Sequence, residues 1–178
     1  MNVELREIYS RERLAGEVQR LAGEISADYA GKELLVIVIL KGAFVFAADL
    51  IRGISVPMEI DFIEISSYCG TDSTGKATVT KDVSIPVTEK NVLIVEDIVD
   101  EGRCLSFLLD VLRLKEPASL KVCTMIDNRR RRTISLEPDY VGIRCVSGFL
   151  VGYGLDLNQK YRELPALYEI LPSDGDAG

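Results

Sequence analysis

The apolar positions of this chain fall into two periods. Leu34–Leu40 and Val92–Val95 are unbroken apolar runs rich in β-branched residues. Runs of that length and type predict strands buried on both faces. Leu120–Ile126 predicts a third strand. Between these runs the period changes. Leu14, Val18, Leu21 and Ile25 fall on one helical face, behind Ser10 as N-cap with Glu12 in the first turn. Ala43–Arg52 predicts a helix stopped by Gly53. Cys104–Lys115 predicts another, with Leu105, Leu108, Leu109 and Leu112 on its apolar face and Glu116-Pro117 ending it. Pro57–Ser67 predicts a strand in which Met58, Ile60 and Phe62 alternate. Ile63 and Ile65 then switch phase, which predicts a bulge or twist. Ala77–Val87 alternates again and reads as a lid hairpin. Strands alternating with helices make this an α/β chain.

The junction from Val92 to Leu105 organises the rest. Its apolar strand ends in Glu96 and Asp97, then Asp100 and Glu101 follow, then Gly102 permits a tight turn into a helix. In open parallel sheets ligands sit outside the carboxyl ends of the strands, so these acids lie where a ligand would be. The helix start beyond them offers unpaired backbone N–H groups, which favour a phosphate. Acids beside an anion site are consistent with a sugar phosphate: carboxylates take ribose hydroxyls and Mg²⁺, and amides take the phosphate. The alternative is a solvated acidic loop. Four acids at one strand–turn–helix junction favour the ligand site.

Composition narrows the function classes. A length of 178 residues with 47% hydrophobic content suits a single domain, residues 1–178. The formal charge of −7, from 21 basic and 28 acidic residues, argues against a nucleic-acid partner. There is no signal pattern and no apolar run long enough to span a membrane, so a cytoplasmic location is expected. The four cysteines, Cys69, Cys104, Cys123 and Cys145, lack metal-ligand or CxxC spacing and predict reduced thiols. With no histidine in the chain, carboxylates are the leading acid–base groups.

The junction resembles the signature of type I phosphoribosyltransferases, and specifically the hypoxanthine-guanine branch, V-L-I-V-E-D-I-[IV]-D-[ST]-G-x-T-L. Val92–Asp100, Gly102 and Leu105 fit it. Glu101 replaces a hydroxyl residue and Cys104 a threonine, at positions that help hold the 5′-phosphate of phosphoribosyl pyrophosphate in the family. Other segments resemble the family in the same order, from Glu4 to about Leu171. Leu40-Lys41-Gly42 resembles its pyrophosphate loop, which can carry a non-proline cis peptide bond. Ser67-Tyr68 resembles the lid that closes over the reacting centre. Phe149-Leu150-Val151-Gly152-Tyr153-Gly154-Leu155-Asp156 resembles F-[VL]-V-G-Y-G-[LM]-D, and Tyr161–Pro165 resembles Y-R-[ND]-L-P. Gly70–Lys76 also matches the start of a P-loop, but Ala77 stands where Ser or Thr must reach Mg²⁺, and the following residues predict a strand.

The resemblance implies a twisted, mostly parallel sheet flanked by helices, with a small hood built partly from the C-terminal segment and a frayed tail over Ser173–Gly178. It implies transfer of phosphoribosyl to a 6-oxopurine, a step in purine salvage. Phosphoribosyl pyrophosphate would meet Lys41, Gly42, Glu96, Asp97, Asp100, Glu101, Gly102, Arg103, Cys104 and Arg162. The purine would meet Asn128, Phe149, Leu150 and Asp156. Mg²⁺ would lie near Glu96, Asp97 and Asp156, and Asp100 would be the general base. Asn128 stands where a lysine contacts the purine 6-oxo group, with Arg129 as a substitute cation and Arg130–Arg132 as a solvated loop. A homodimer or homotetramer is expected. A second reading, a non-catalytic nucleotide-binding regulator, would have Glu101, Cys104 and Asn128 as its marks. Glu96, Asp97, Asp100, Asp156 and Arg162, all present, point to the enzyme.

Overall fold

The computed structural model describes residues 3–67, 77–144 and 148–171. The strands, in chain order, are β1 (Glu4–Tyr9), β2 (Leu34–Leu40), β3 (Met58–Ser67), β4 (Ala77–Lys81), β5 (Asn91–Val99), β6 (Ser119–Asp127), β7 (Tyr140–Arg144), β8 (Phe149–Val151) and β9 (Leu167–Leu171). The α-helices are α1 (Arg11–Asp28), α2 (Phe44–Gly53) and α3 (Arg103–Arg113).

A six-stranded sheet has the order β4-β3-β2-β5-β6-β7. Every pairing within it is parallel except the edge pair β3–β4. The apolar run of β2 is explained by its place at the centre. Leu34, Val36 and Val38 pack with α1 and α2, while Leu35, Ile37 and Ile39 pack with α3. Successive side chains point to opposite faces, and both faces are covered, so no position is left for a polar residue. Helix α1 starts as its sequence predicts: the Ser10 hydroxyl accepts from the Arg13 N–H at 3.3 Å.

The smaller sheet, β1-β9-β8, is antiparallel and joins the N-terminal strand to the C-terminal segment. It forms the hood, and β1 and β9 within it carry no strong strand pattern in the sequence. One expectation for the lid side changes. Ala77–Lys81 is a strand, but it pairs with β3, and Val83–Val87 forms no returning strand. Asp61 explains why. Its Oδ2 accepts from the N–H groups of Ser84 and Ile85, at 2.6 and 2.8 Å, and so occupies amides a ladder would use. The phase switch in β3 coincides with a register irregularity at the β4 edge of the sheet, as expected. The ladder to β2 is continuous from Met58 to Glu64, and the irregularity lies between Glu64 and Ile65 against β4. Tyr68 and the P-loop match Gly70–Lys76 lie outside the described residues, as does the tail. Ala77 opens a strand, whereas a P-loop lysine must be followed by a helix.

Candidate active site

The chain crosses from β2 to β3 on one side of the sheet and from β5 to β6 on the other, so the strand order reverses between β2 and β5. A crevice opens at such a reversal, beyond the carboxyl ends of the strands. Two cavities lie there. One, about 280 Å³, is lined by Glu96 and by Asp100–Leu105 at the start of α3. The other, also about 280 Å³, is lined by Asp97, Asp100, Asn128, Arg131, Phe149 and Asp156, among others. Ile98 and Asp100 line both, so the end of β5 divides a continuous site. A larger cavity, about 510 Å³, opens at the opposite strand ends around Glu33, Pro57 and Lys90. It lies at the amino ends of the strands, and Glu33, Glu59 and Glu89 are among the residues that line it.

Three segments distant in sequence close on one another here. A side chain at Gly42 would put its Cβ 1.7 Å from Asp97 Oδ2, and one at Gly154 would put its Cβ 2.0 Å from the Gly42 carbonyl oxygen. The end of β2, the end of β5 and the loop after β8 thus meet with no room for side chains between them. The Leu40–Lys41 peptide bond is cis. Glu96 and Asp97 stand side by side. Burial, and then the neighbouring Asp97 charge, push the Glu96 carboxyl well above its ordinary range.

Gly102 has φ +86, and a Cβ there would lie 3.0 Å from Arg132 Cδ. Only glycine adopts this turn without strain. Helix α3 begins directly after it with no side-chain cap, which leaves the N–H groups of its first turn facing the cavity at Arg103–Leu105. Glu101 places a carboxylate on the same rim, and Arg103 Nε lies 3.5 Å from it.

The arginine loop departs from expectation. Arg129–Arg131 form a 3₁₀ turn. Three residues per turn put Arg129 and Arg132 on one side. Both bind the fully buried Asp127: Arg129 Nε at 3.0 Å and Arg132 Nη2 at 2.5 Å. Arg132 also donates to the carbonyls of Asp100 at 2.9 Å, Val99 at 3.2 Å and Leu136. It is therefore a buried brace behind Asp100, not a solvated residue. Arg129 also pairs with Glu137 through Nη2 and does not line the cavity. Arg131 does, and its Nη1 lies 2.8 Å from Asp100 Oδ2. Of the loop predicted to be solvated, Arg130 remains simply exposed. A run of four arginines reads as surface by composition. The signal that would have separated them is Asp127 placed to meet a three-residue turn.

Asn128 is buried, 6% exposed, and its Nδ2 donates to Asp100 Oδ1 at 3.0 Å. Its Oδ1 has no partner among the described residues. Phe149 is 52% exposed, while Leu150 beside it is buried. Not every expected residue converges. Asp156 lines the cavity but binds Arg162 at 2.7 Å and accepts from the Gln159 N–H at 2.8 Å. Arg162 also donates to the Gly154 carbonyl at 2.7 Å and faces a separate hollow beside Tyr153. Lys41 is exposed and lines neither cavity. Glu96, Asp97 and Asp156 do not form one metal cage: no group of three or more metal-ligating side chains exists among the described residues. Ser67 ends β3.

Comparison with known proteins follows the same outline. The family model of the phosphoribosyl transferase domain matches residues 4–158. The chain is 41% identical to hypoxanthine phosphoribosyltransferase of Buchnera aphidicola, over 92% of this chain and 94% of that one. It is 39% identical to the bifunctional protein TilS/HprT of Listeria innocua over 93% of this chain, but spans only 26% of that longer protein. The crystal structure of a hypoxanthine-guanine phosphoribosyltransferase from Bacillus anthracis superposes with a TM-score of 0.89 at 43% identity, covering 96% of this chain and 100% of that one. A hypoxanthine phosphoribosyltransferase from Staphylococcus aureus superposes with a TM-score of 0.90 at 36% identity, covering 94% and 91%. Sequence match, sheet order and the acidic crevice at the β2–β5 reversal agree that this chain belongs to the phosphoribosyl transferase family, with the type I fold.

Proposed function

We propose that this protein transfers phosphoribosyl from phosphoribosyl pyrophosphate to a 6-oxopurine, giving the nucleotide and pyrophosphate in purine salvage. The observation that carries the reading is the paired cavity at the end of β5. One half offers helix amides and acids suited to a sugar phosphate, and the other lies under an exposed aromatic ring. The relatives named above carry hypoxanthine phosphoribosyltransferase names, and no observation favours a non-catalytic regulator.

The 5′-phosphate is held by the N–H groups of Gly102 to Cys104 at the α3 start, with the Arg103 charge nearby. Lys41, Gly42 and Arg162 take the pyrophosphate, for which Arg162 must leave Asp156. Glu96 and Asp97 hold the ribose hydroxyls. As the anomeric carbon loses pyrophosphate it gains positive charge, and the fixed carboxylates beside it stabilise that charge. Phe149 stacks on the purine, the Leu150 backbone meets its edge, and Asp156 lies at the pocket wall. Asp100 takes the ring N–H proton. The nitrogen pair forms the new bond to carbon as the carbon–oxygen bond breaks and pyrophosphate leaves with its electrons. Ser67 and Tyr68 belong to the lid that excludes water.

The neighbouring oxygens of Glu96 and Asp97 fit Mg²⁺, which takes one or two carboxylates and completes its shell with water and substrate oxygens. When bound, the ion neutralises the pyrophosphate leaving group.

No helix among the described residues is long and apolar enough to cross a membrane; we place the protein in the cytoplasm. Phe44, Ile60 and Phe62 are large apolar side chains more than a third exposed, on α2 and the neighbouring β3. They support a homodimer or homotetramer, which sedimentation would establish.

The test of function is direct. The protein is incubated with Mg²⁺, phosphoribosyl pyrophosphate and each of hypoxanthine, guanine, xanthine and adenine, and the nucleotides are separated by chromatography. Product from a 6-oxopurine is expected. Absence of product from every base, with phosphoribosyl pyrophosphate still bound, would refute the reading.

A further inference from the structure

Arg131 has no part in the mechanism above, yet it stands on the cavity the base would enter. Among the described residues lining that cavity it is the one cation, facing the acids Asp97, Asp100 and Asp156. Neither neighbouring arginine can supply a charge there. Arg129 is committed to Asp127 and Glu137, and Arg132 is buried against Asp127 and three carbonyls.

Asn128 is the weaker candidate: it is neutral, and one of its two amide N–H groups is already on Asp100. Asp100 offers Asn128 a carboxylate, which only accepts, so the amide must turn its N–H₂ toward Asp100. Its carbonyl oxygen is then left buried without a partner among the described residues. That oxygen accepts and does not donate. A 6-oxo group is itself an acceptor and needs a donor on the wall. Arg131 provides one, with charge and several N–H groups.

The Asp100 contacts add a second point. Both of its oxygens are engaged, Oδ1 by Asn128 at 3.0 Å and Oδ2 by Arg131 at 2.8 Å. Each oxygen keeps one open lone pair, but Arg131 competes with a substrate N–H for Oδ2. Of its two partners, Asn128 is 6% exposed and locked, whereas the Arg131 side chain is 62% exposed and free to move.

Resting on the phosphoribosyl-transfer reading, we propose that Arg131 is the specificity-determining residue for the base. It leaves Asp100 Oδ2 to donate to the 6-oxo oxygen of an incoming purine, and the same movement removes a competing donor from Oδ2, which takes the ring N–H proton. A 6-aminopurine presents N–H donors to a guanidinium that also only donates, so it cannot draw Arg131 away from Asp100 and is rejected.

The test compares wild type, R131A and R131K at saturating phosphoribosyl pyrophosphate and Mg²⁺, with hypoxanthine, guanine and adenine as separate substrates. Losing a charged hydrogen bond to the base lowers kcat/KM for hypoxanthine by about 10- to 100-fold in R131A. The KM for phosphoribosyl pyrophosphate stays at the wild-type value. The preference for hypoxanthine over adenine narrows. R131K recovers part of the loss, because it restores the charge without the planar fork. Arg131 is exposed, so R131A is expected to melt with the wild type, and R131K gives a second, milder variant. A purely structural role would shift stability without changing the ratio between bases. An active wild type with unchanged hypoxanthine kinetics and base preference in R131A overturns this inference alone. A wild type that makes no nucleotide from any base overturns the phosphoribosyl-transfer reading and this inference with it.

Discussion

Replacing Arg132 by methionine tests whether the loop behind Asp100 is a brace. Asp127 has no exposed side-chain surface and Arg132 is 10% exposed, so their 2.5 Å pair is desolvated. Exposed ion pairs contribute about 0–1 kcal/mol, whereas removing one partner of a buried pair costs about 3–5 kcal/mol, because the other charge stays buried. Arg129 remains on the second Asp127 oxygen at 3.0 Å, but it is half exposed and cannot fill the space Arg132 leaves. The loss in R132M therefore falls near the lower end of that range. Arg132 also satisfies the carbonyls of Val99, Asp100 and Leu136, which lose a charged donor together. For a chain of this length a loss of about 3 kcal/mol lowers Tm by roughly 6–12 °C. Urea unfolding of wild type, R132M, D127N and the double variant gives the cycle, and the double variant is expected to lose less than the sum of the singles. Turnover measured well below the melting temperature should fall about 100-fold in R132M, since the Asp100 backbone is released and misplacement of a reacting group by about 1 Å has that effect. If R132M costs less than about 1 kcal/mol, the pair behaves as a surface contact and the brace is wrong.

Three further outcomes are expected. G42A must displace the Asp97 carboxylate, since its Cβ would sit 1.7 Å from Oδ2; kcat/KM for phosphoribosyl pyrophosphate should fall about 100-fold, and wild-type kinetics would contradict the close packing of the two strand ends. E101S removes a carboxylate from the rim of the proposed phosphate site, and the KM for phosphoribosyl pyrophosphate should drop about 3- to 10-fold at low salt, an effect that weakens as added salt screens the charge. Burial pushes the Asp61 carboxyl up, but the N–H groups of Ile85, Phe62 and Ser84 outweigh it and hold it below its ordinary 3.8. Its contribution is thus present above pH 4 and lost as pH falls through the lower folded value. D61N should be less stable at neutral pH and show a shallower acid limb in urea titrations between about pH 4 and 2, and an unchanged limb would refute the assignment.

The sequence by itself determined the central strands and the position of the acids. Leu34–Leu40 and Val92–Val95 are apolar at every position because both faces of the sheet are covered, a condition any single sequence displays directly. The Gly102 turn and the α3 start were legible for the same local reason, since the positive φ and the change of period involve neighbours in the chain. The hood was not legible as strands. β1 and β9 carry mixed patterns, Glu-Leu-Arg-Glu-Ile-Tyr and Leu-Tyr-Glu-Ile-Leu, and become strands by pairing across the length of the chain. The fate of Val83–Val87 was decided by Asp61, more than twenty residues away, whose carboxylate takes two of its amides. The arginine loop shows the same limit most clearly. Four identical residues in a row carry no information that separates them, yet one is a buried brace, one is an outer clamp and one faces the proposed base pocket. Only the phase of a single 3₁₀ turn against a buried aspartate distinguishes them, and that phase exists only once β5 and β6 have placed Asp100 and Asp127 beside it.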